Sequence, residues 1–258
     1  MKPELSIIMP GIRPNLWEGV FNSVLESTKR PFELVIISPF PLPSALATEH
    51  RVKYIRDFGS PVRASQIGIA LCEAPYISPN MCDDGMFVKD ALDNNLDLLL
   101  AQGTDIKNVI TCRYSESIGY ARKEDYQADS VYHLVNSYPA NPSCVPADWF
   151  IFNSTVMHTQ YLLDLGGFDC SYGATPVGHA DLAIRAQKDG AKVLLSPYPL
   201  AMADHGHPDH FAVAQCQGGV DLPAFASKYN GSISDLVTRI PLDNWKRAES
   251  VWRFRFSV

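Results

Sequence analysis

Short apolar runs alternate with helical patterns through the first half of the chain. Leu5–Met9 predicts a buried strand that ends at Pro10, and apolar residues then recur at helical spacing over Leu16–Leu25. Strands that alternate with helices imply a largely parallel sheet with right-handed crossovers. The same alternation predicts strands at Glu33–Ile37, Val52–Ile55 and Tyr76–Ile77, with a helix at Arg63–Leu71.

Three loops follow the first predicted strands: Pro10–Asn15, Ser38–Ser44 and Asn80–Gly85. Parallel α/β sheets bind their ligands at the carboxyl ends of the strands, because the connecting loops converge there. We therefore expect a binding site to be formed by these loops.

The second half is less regular. Residues 114–148 are polar and rich in tyrosine and proline. They form either an excursion from the core that suits acceptor recognition or partner contact, or a surface insertion without a specific function. Ser154 or Thr155 could cap a helix that runs to Leu165 and ends at Gly166-Gly167. The remaining predicted elements are strands at Val109–Arg113, Trp149–Asn153 and Lys192–Leu195, and a helix at about Ala180–Lys188.

The charge balance narrows the range of partners. The 258 residues are 46% hydrophobic and 19% charged, with a net charge of −6 and no block of Lys and Arg. This composition argues against nucleic acid as the main partner, since phosphate contacts need clustered basic residues. A nucleotide could still bind if a divalent cation bridges its phosphates to carboxylates.

The cellular location of the protein is predicted from three features that the sequence does not show: a signal peptide, a membrane span and a CxxC motif. The first apolar run is too short for a signal peptide, and no stretch reaches the roughly 20 residues of a membrane span. The six cysteines form no CxxC pair and read as reduced thiols. We therefore expect a cytoplasmic protein, peripheral to a membrane at most, and a homo-oligomer stays open.

Asp83-Asp84-Gly85 is the first candidate for chemistry. Two carboxylates in the loop after a core strand could hold Mg²⁺ or Mn²⁺ against a diphosphate. The alternative is a solvated turn, which is what an isolated Asp-Asp-Gly most often forms. The position on the ligand-bearing edge of the sheet favours the metal site.

His179 and Asp181 form the second candidate. They are predicted at or near a helix N-terminus, where the helix dipole lowers a carboxylate pKa and keeps imidazole neutral. A neutral His179 could act as a general base towards a sugar hydroxyl. The alternative is an N-cap residue with no catalytic role.

The string His205-Gly-His207-Pro-Asp-His210 is the third candidate, because three of the seven histidines fall within six residues. Neutral imidazole suits Mn²⁺ or Zn²⁺, so a contribution to a metal site is plausible, and a polar surface loop is the alternative. The string also matches the zinc motif of metallo-β-lactamase-fold hydrolases. We reject that fold, because no histidine follows His210 to complete its metal site.

A series of short motifs spans residues 4–210 in a fixed order. They are Leu5-Ser-Ile-Ile-Met-Pro10, Glu33-Leu-Val-Ile-Ile37, Ala64-Ser-Gln-Ile-Gly-Ile69, Ala74-Pro-Tyr-Ile77, Gly166-Gly-Phe-Asp169 and Asp181-Leu-Ala-Ile-Arg185. Together they resemble the inverting glycosyltransferase family 2. The resemblance implies a GT-A-type α/β fold, with a Rossmann-like, mostly parallel but mixed sheet flanked by helices.

The resemblance also implies a domain plan and site residues. The GT-A-like domain would cover 1–215, with a nucleotide-sugar half at about 1–100 and an acceptor half at about 101–215, and a C-terminal extension at 216–258 would pack on it. Asp169 would face the acceptor. The metal, Mn²⁺ or Mg²⁺, would be held by Asp83, Asp84, His205 and, as a substitute, His207. The donor-binding residues would be Pro10, Ile12, Arg13, Ser38, Arg63, Gln66 and Asp83.

The chain departs from the family pattern in three places. Ser38-Pro39 stands where an aspartate usually holds the nucleotide base, and Met81 stands at the leading aspartate of the Asp-x-Asp motif. The usual Glu-Asp pair falls on Gly178-His179, so the base is His179, is Asp181, or is absent.

The resulting prediction is a metal-dependent glycosyltransferase that moves a sugar from a nucleotide sugar, most simply a UDP-sugar, to a glycan or other hydroxyl acceptor. The alternative is a catalytically impaired protein of the same fold that binds nucleotide sugars or carbohydrate. A sugar nucleotidyltransferase ranks lower, because Pro10-Gly-Ile-Arg-Pro14 has one glycine and no downstream Lys for that chemistry.

Overall fold

The computed structural model of the chain is built around a mixed β-sheet. Within the described residues it has eight strands in the order β3-β2-β1-β4-β7-β6-β8-β5. The strands are β1 Leu5–Pro10, β2 Phe32–Ser38, β3 Val52–Arg56, β4 Tyr76–Ser78, β5 Gly85–Phe87, β6 Asn108–Ser117, β7 Thr155–His158 and β8 Lys192–Asp204. The structure describes residues 2–79, 81–117, 134–135, 144–204, 206–207 and 210–256.

The first four strands form a parallel half-sheet. β1 pairs with both β2 and β4 in parallel, and β2 pairs with β3 in parallel. β7 pairs antiparallel with β4 and β6, whereas β6 and β8 are parallel and β5 closes the edge antiparallel to β8. The predicted mostly parallel but mixed sheet is confirmed.

Helices cover both faces of the sheet. Alternate residues of β1 enter different cores: Ile7 packs with α1 and α3, and Ile8 packs with α2 and α5. Burial on both faces explains why these strands are continuously apolar. The α-helices of the described ranges are α1 Trp17–Ser27, α2 Pro61–Leu71, α3 Ala91–Leu100, α4 Thr159–Asp164, α5 Thr175–Lys188, α6 His210–Cys216 and α7 Leu222–Lys228.

The predicted elements of the first half are confirmed to within a few residues. The strand predicted before α4 is wrong. The strand lies at Thr155–His158 rather than at Trp149–Asn153, because Met157 finds partners on both sides, Ile77 and Val109. Thr155 therefore extends a strand, and α4 begins only at Thr159.

Two other helix boundaries bear on the site. The helix end at Gly166-Gly167 is confirmed, since both glycines adopt positive φ, 81° and 68°. α5 begins at Thr175 instead of near Ala180, with Pro176 in its first turn. The excursion predicted at 114–148 lies largely outside the described residues.

The chain after α6 runs back over the body of the protein. A π-helical turn at Gln217–Asp221 leads into α7, and Ile240 N–H donates to Leu165 O at 3.2 Å. Further on, Arg63 donates to the carbonyl of Trp245, and Trp252 N–H donates to Phe58 O at 2.9 Å. In the part of the chain that the structure describes, no helix is both long and apolar enough to cross a membrane.

Candidate functional site

A cavity of about 600 Å³ opens at the carboxyl ends of the parallel strands. Each of the three loops expected to bind ligand contributes to its wall. The other walls come from β8, the first turns of α5, helix α6 and the C-terminal segment. Of the predicted site residues, the cavity is lined by Pro10, Ile12, Arg13, Asp83, Asp84 and His179.

Asp83 lies beneath the loop that follows β1 and holds that loop in place. Its Oδ2 accepts hydrogen bonds from the backbone N–H groups of Ile12 and Arg13, both at 2.6 Å, and from Trp17 Nε1 at 3.1 Å. Its Oδ1 accepts from the Arg13 guanidinium. Because the loop engages both oxygens, Asp83 fits a loop anchor better than the metal ligand expected from the sequence.

Asp84 faces a histidine that is not in the metal set expected from the sequence. The Asp84 carboxylate is fully buried, with Oδ2 2.7 Å from His210 Nε2 and 3.4 Å from Arg13 Nη1. His210 is the first residue of α6 and lines the cavity. The sequence offered a signal for it, since His210 ends the same histidine-rich string that supplied His205 and His207.

The structure describes one of the two histidines expected at the metal site, His207. His207 is not among the cavity-lining residues, and its Nε2 lies 3.7 Å from Asp204 Oδ2. His205 lies outside the described residues.

The divalent cation implied by the resemblance can be tested against these residues. A carboxylate oxygen and an imidazole nitrogen, from Asp84 and His210, suit Mn²⁺, whereas the oxygens of Asp83 are already engaged. Across the described ranges, no three His, Cys, Asp or Glu side chains converge on one point. The described residues thus place two such ligands side by side, Asp84 and His210, and form no group of three.

His179 lies in the second turn of α5 and faces the cavity. Burial lowers the pKa of its imidazole to about 3, which favours the neutral form, and the cause is desolvation rather than the helix dipole. Its Nδ1 lies 3.0 Å from Asn153 Oδ1, and Asn153 Nδ2 donates to Tyr114 Oη at 3.0 Å. All three side chains line the cavity.

Asp169 and Asp181 lie in an ionic cluster around Lys228 and not on the cavity wall; Asp181 is fully buried and Asp169 is partly exposed. Asp181 accepts from Arg185 Nε at 2.7 Å, Lys228 Nζ at 2.5 Å and Tyr229 Oη at 2.8 Å. Lys228 also donates to Asp169 at 2.9 Å. Burial opposes ionisation of Asp169, but Lys228 and hydrogen bonds outweigh it and hold the pKa of that carboxyl below its usual range. Both aspartates thus tie α7 to the body of the protein.

Three predicted donor-binding residues also hold the fold and do not line the cavity. The Arg63 guanidinium forms an ion pair with Asp57, and Gln66 Nε2 donates to Gly166 O at 2.9 Å. Ser38 Oγ accepts from Phe40 N–H at 3.0 Å. Arg63 and Ser38 shape the loops that carry the lining residues Asp57 and Pro39, whereas Gln66 holds the turn at Gly166, which is not part of the wall.

Asp57, Trp252 and Arg255 line the cavity and were missed by sequence reasoning. Asp57 directly follows β3, so the strand-end rule that identified the other loops would have found it. Trp252 and Arg255 carry no such signal, because the return of the C-terminal segment to this edge depends on tertiary contacts.

Comparisons with known proteins locate the fold. No protein-family model and no curated protein matches the sequence. Among solved structures, GalNAc-T7 with UDP, GalNAc and Mn²⁺ superposes with a TM-score of 0.56 at 11% identity, covering 91% of this chain and 54% of that one. The chain thus spans about half the length of that protein. It has the GT-A-like α/β fold of this glycosyltransferase.

Two further structures match more weakly. The catalytic domain of Drosophila β1,4-galactosyltransferase 7 gives a TM-score of 0.44 at 8% identity, covering 74% of this chain and 63% of that one. The bifunctional IspDF from Campylobacter jejuni gives 0.45 at 10% identity, covering 75% and 49%. Neither adds to the fold assignment.

Proposed function

We propose that this chain is an inverting, family 2-like glycosyltransferase that moves a sugar from a nucleotide-sugar donor to an acceptor hydroxyl. The observation that carries the proposal is the cavity itself. It combines loops at the carboxyl ends of a parallel half-sheet, the Asp84–His210 pair, and a neutral buried His179 in one space of about 600 Å³.

The donor's diphosphate would lie against Asp84 and His210. A divalent cation held there, Mn²⁺ or Mg²⁺, would supply charge stabilisation to the leaving diphosphate. Asp83 supports this end indirectly, because its hydrogen bonds to Ile12 and Arg13 fix the loop that forms the adjacent wall. Arg13 brings a guanidinium to the same place, and a guanidinium suits phosphate oxygens.

His179 is the proposed base towards the acceptor hydroxyl. Asn153 Oδ1 can only accept, so the His179 proton lies on Nδ1 and Nε2 is the basic nitrogen. Asp181 is the weaker candidate, since Arg185, Lys228 and Tyr229 already take up its carboxylate. The proton of the hydroxyl would pass to His179 as the oxygen attacks the anomeric carbon from the face opposite the diphosphate.

The first experiment is a thermal-shift screen of UDP, GDP, CDP and TDP, each with and without Mn²⁺. A nucleotide that binds the native state raises its melting temperature, so stabilisation by one nucleotide only with Mn²⁺ supports the donor site. Stabilisation by none of them would contradict the proposal. The screen is followed by a transfer assay with the sugar conjugate of the nucleotide that binds.

A second function, non-catalytic binding of nucleotide sugars, is favoured by one observation. A base with a pKa of about 3 holds a proton weakly, and proton transfer is most efficient when the pKa lies near the working pH. This alternative predicts donor binding with neither transfer nor donor hydrolysis, whereas the enzyme would show at least slow hydrolysis.

A further inference from the structure

Four apolar side chains that reach solvent lie beside the wall of the cavity. They are Phe58, Phe211, Val251 and Phe254, which we call the rim, and each is adjacent in sequence to a residue that lines the cavity. Phe211 and Val251 are 55% and 56% exposed, Phe58 is 39% exposed, and Phe254 is half-buried. Single exposed apolar side chains are common, whereas a cluster of them marks an interaction surface.

The return of the C-terminal segment brings the rim together. Val251 forms a parallel bridge with Phe58, in the loop after β3. The centroid of the Phe254 ring lies 5.9 Å from that of Trp252, and Trp252 packs on α6, the helix that carries Phe211. The rim is therefore one patch that spans the C-terminal segment, the β3–α2 loop and α6.

Arginines are interleaved with the rim. The Arg56 guanidinium lies 5.2 Å from the centroid of the Phe58 ring, and the Arg253 guanidinium lies 5.0 Å from that of Phe254. Both arginines are exposed. Residues 245–256 carry four basic residues and one acidic residue, in a chain whose net charge is −6. The rim thus has a positive charge that the protein as a whole does not have.

This composition favours one occupant for the rim. Exposed aromatic rings beside arginines match the surface of a bilayer, where rings enter the boundary between headgroups and acyl chains and guanidinium groups meet anionic headgroups. A second copy of this chain fits less well. A symmetric dimer would place the same patch against itself, so that its arginines would face each other.

We propose that the rim docks on the surface of an anionic lipid membrane. Docking brings the cavity wall formed by α6 and the C-terminal segment next to the lipids. This inference goes beyond the proposed transfer reaction and does not depend on it.

The test is co-sedimentation of the full chain with vesicles of phosphatidylcholine alone and of phosphatidylcholine mixed with phosphatidylglycerol. The wild type should bind the mixed vesicles at least about tenfold more tightly, and added salt should weaken that binding because it screens the headgroup charge. Phe211→Ser and Arg253→Gln should each weaken it by about fivefold, since one removes a ring from the acyl boundary and the other removes a charge beside the headgroups.

Val237→Ser and Lys192→Gln are the matched controls and should bind as the wild type does. Val237 is 67% exposed and lies outside the rim, and Lys192 begins β8 at the end of the sheet opposite the cavity. If the wild type binds neither kind of vesicle, or the rim variants bind as tightly as the controls, the inference fails, and the nucleotide screen still tests the donor site. If light scattering shows a dimer that Phe211→Ser dissociates, a second copy covers the rim and the inference fails as well.

Discussion

Two pairs of aspartates, Asp83 with Asp84 and Asp169 with Asp181, were both predicted at the site, but the structure places them in different surroundings. The first pair lies on the cavity wall, where one carboxylate anchors a loop and the other meets His210. The second pair lies in a cluster with Lys228 that is not part of the wall.

The difference comes from what each pair meets in the fold. Backbone N–H groups of the β1 loop reach Asp83 because β1 and the Asp83 loop are neighbours in the sheet. Asp181 instead meets Arg185 one helical turn away, and α7 brings Lys228 and Tyr229 to it. A carboxylate in the middle of a helix thus becomes part of the scaffold because Arg185 and Lys228 both reach it.

The largest effect should come from Asp181→Asn. Removing this charge leaves Arg185 and Lys228 without their buried counter-ion, so we expect the free energy of unfolding to fall by about 3–5 kcal/mol. Urea unfolding measures it. Asp243→Asn is the control, because that aspartate is exposed, and its cost should stay within about 0.5 kcal/mol. A stable Asp181 variant without transferase activity would instead identify Asp181 as the base.

His179→Gln should reduce sugar transfer by at least about a hundredfold and leave donor affinity unchanged, because the base acts on the acceptor. Comparison of the turnover rate with the donor's dissociation constant separates the two effects. Equal losses in both would assign His179 to donor binding.

His179 should also make the free energy of unfolding depend on pH. Burial lowers the pKa of His179 to about 3, whereas an unfolded histidine titrates near about 6.5. Between these values the unfolded chain binds more protons, so the free energy of unfolding falls as the pH drops below about 6.5. His179→Gln should flatten that fall by up to about 1.4 kcal/mol per pH unit. His50→Gln, which alters an exposed histidine, should not.

Asp84→Asn and His210→Gln should each weaken Mn²⁺-dependent nucleotide binding by about tenfold or more, because each removes one proposed ligand of the cation. Thermal shift with and without Mn²⁺ measures the loss. His207→Gln is the control from the same histidine-rich string and should bind normally. A loss with Asp84→Asn and His207→Gln but not with His210→Gln would restore the metal set expected from the sequence.

Asp169→Asn should have the smallest effect. The ion pair with Lys228 is partly exposed, so its loss should cost about 1 kcal/mol in the free energy of unfolding, and transfer should stay within about twofold of wild type. A large loss of transfer at unchanged stability would show that Asp169 faces the acceptor after all.

Most of the fold and part of the site could be predicted from the sequence. The strands of the first half were predictable because each is an apolar run bounded by proline or polar residues, and both faces of the parallel half-sheet are buried. The strand at Thr155–His158 was not, because its short pattern carries less hydrophobic signal than the preceding Trp149–Asn153. The position of this strand is decided by its pairing with β4 and β6.

The sequence by itself determined the α/β fold and the loops that line the cavity, since strand periodicity and strand-end position are local properties of the chain. Only the tertiary structure decided which polar side chains share the cavity. His210 meets Asp84 across 126 positions, and Arg255 meets Gly59 across 196. Such contacts depend on how helices and the C-terminal segment pack on the sheet, and no local pattern encodes that packing.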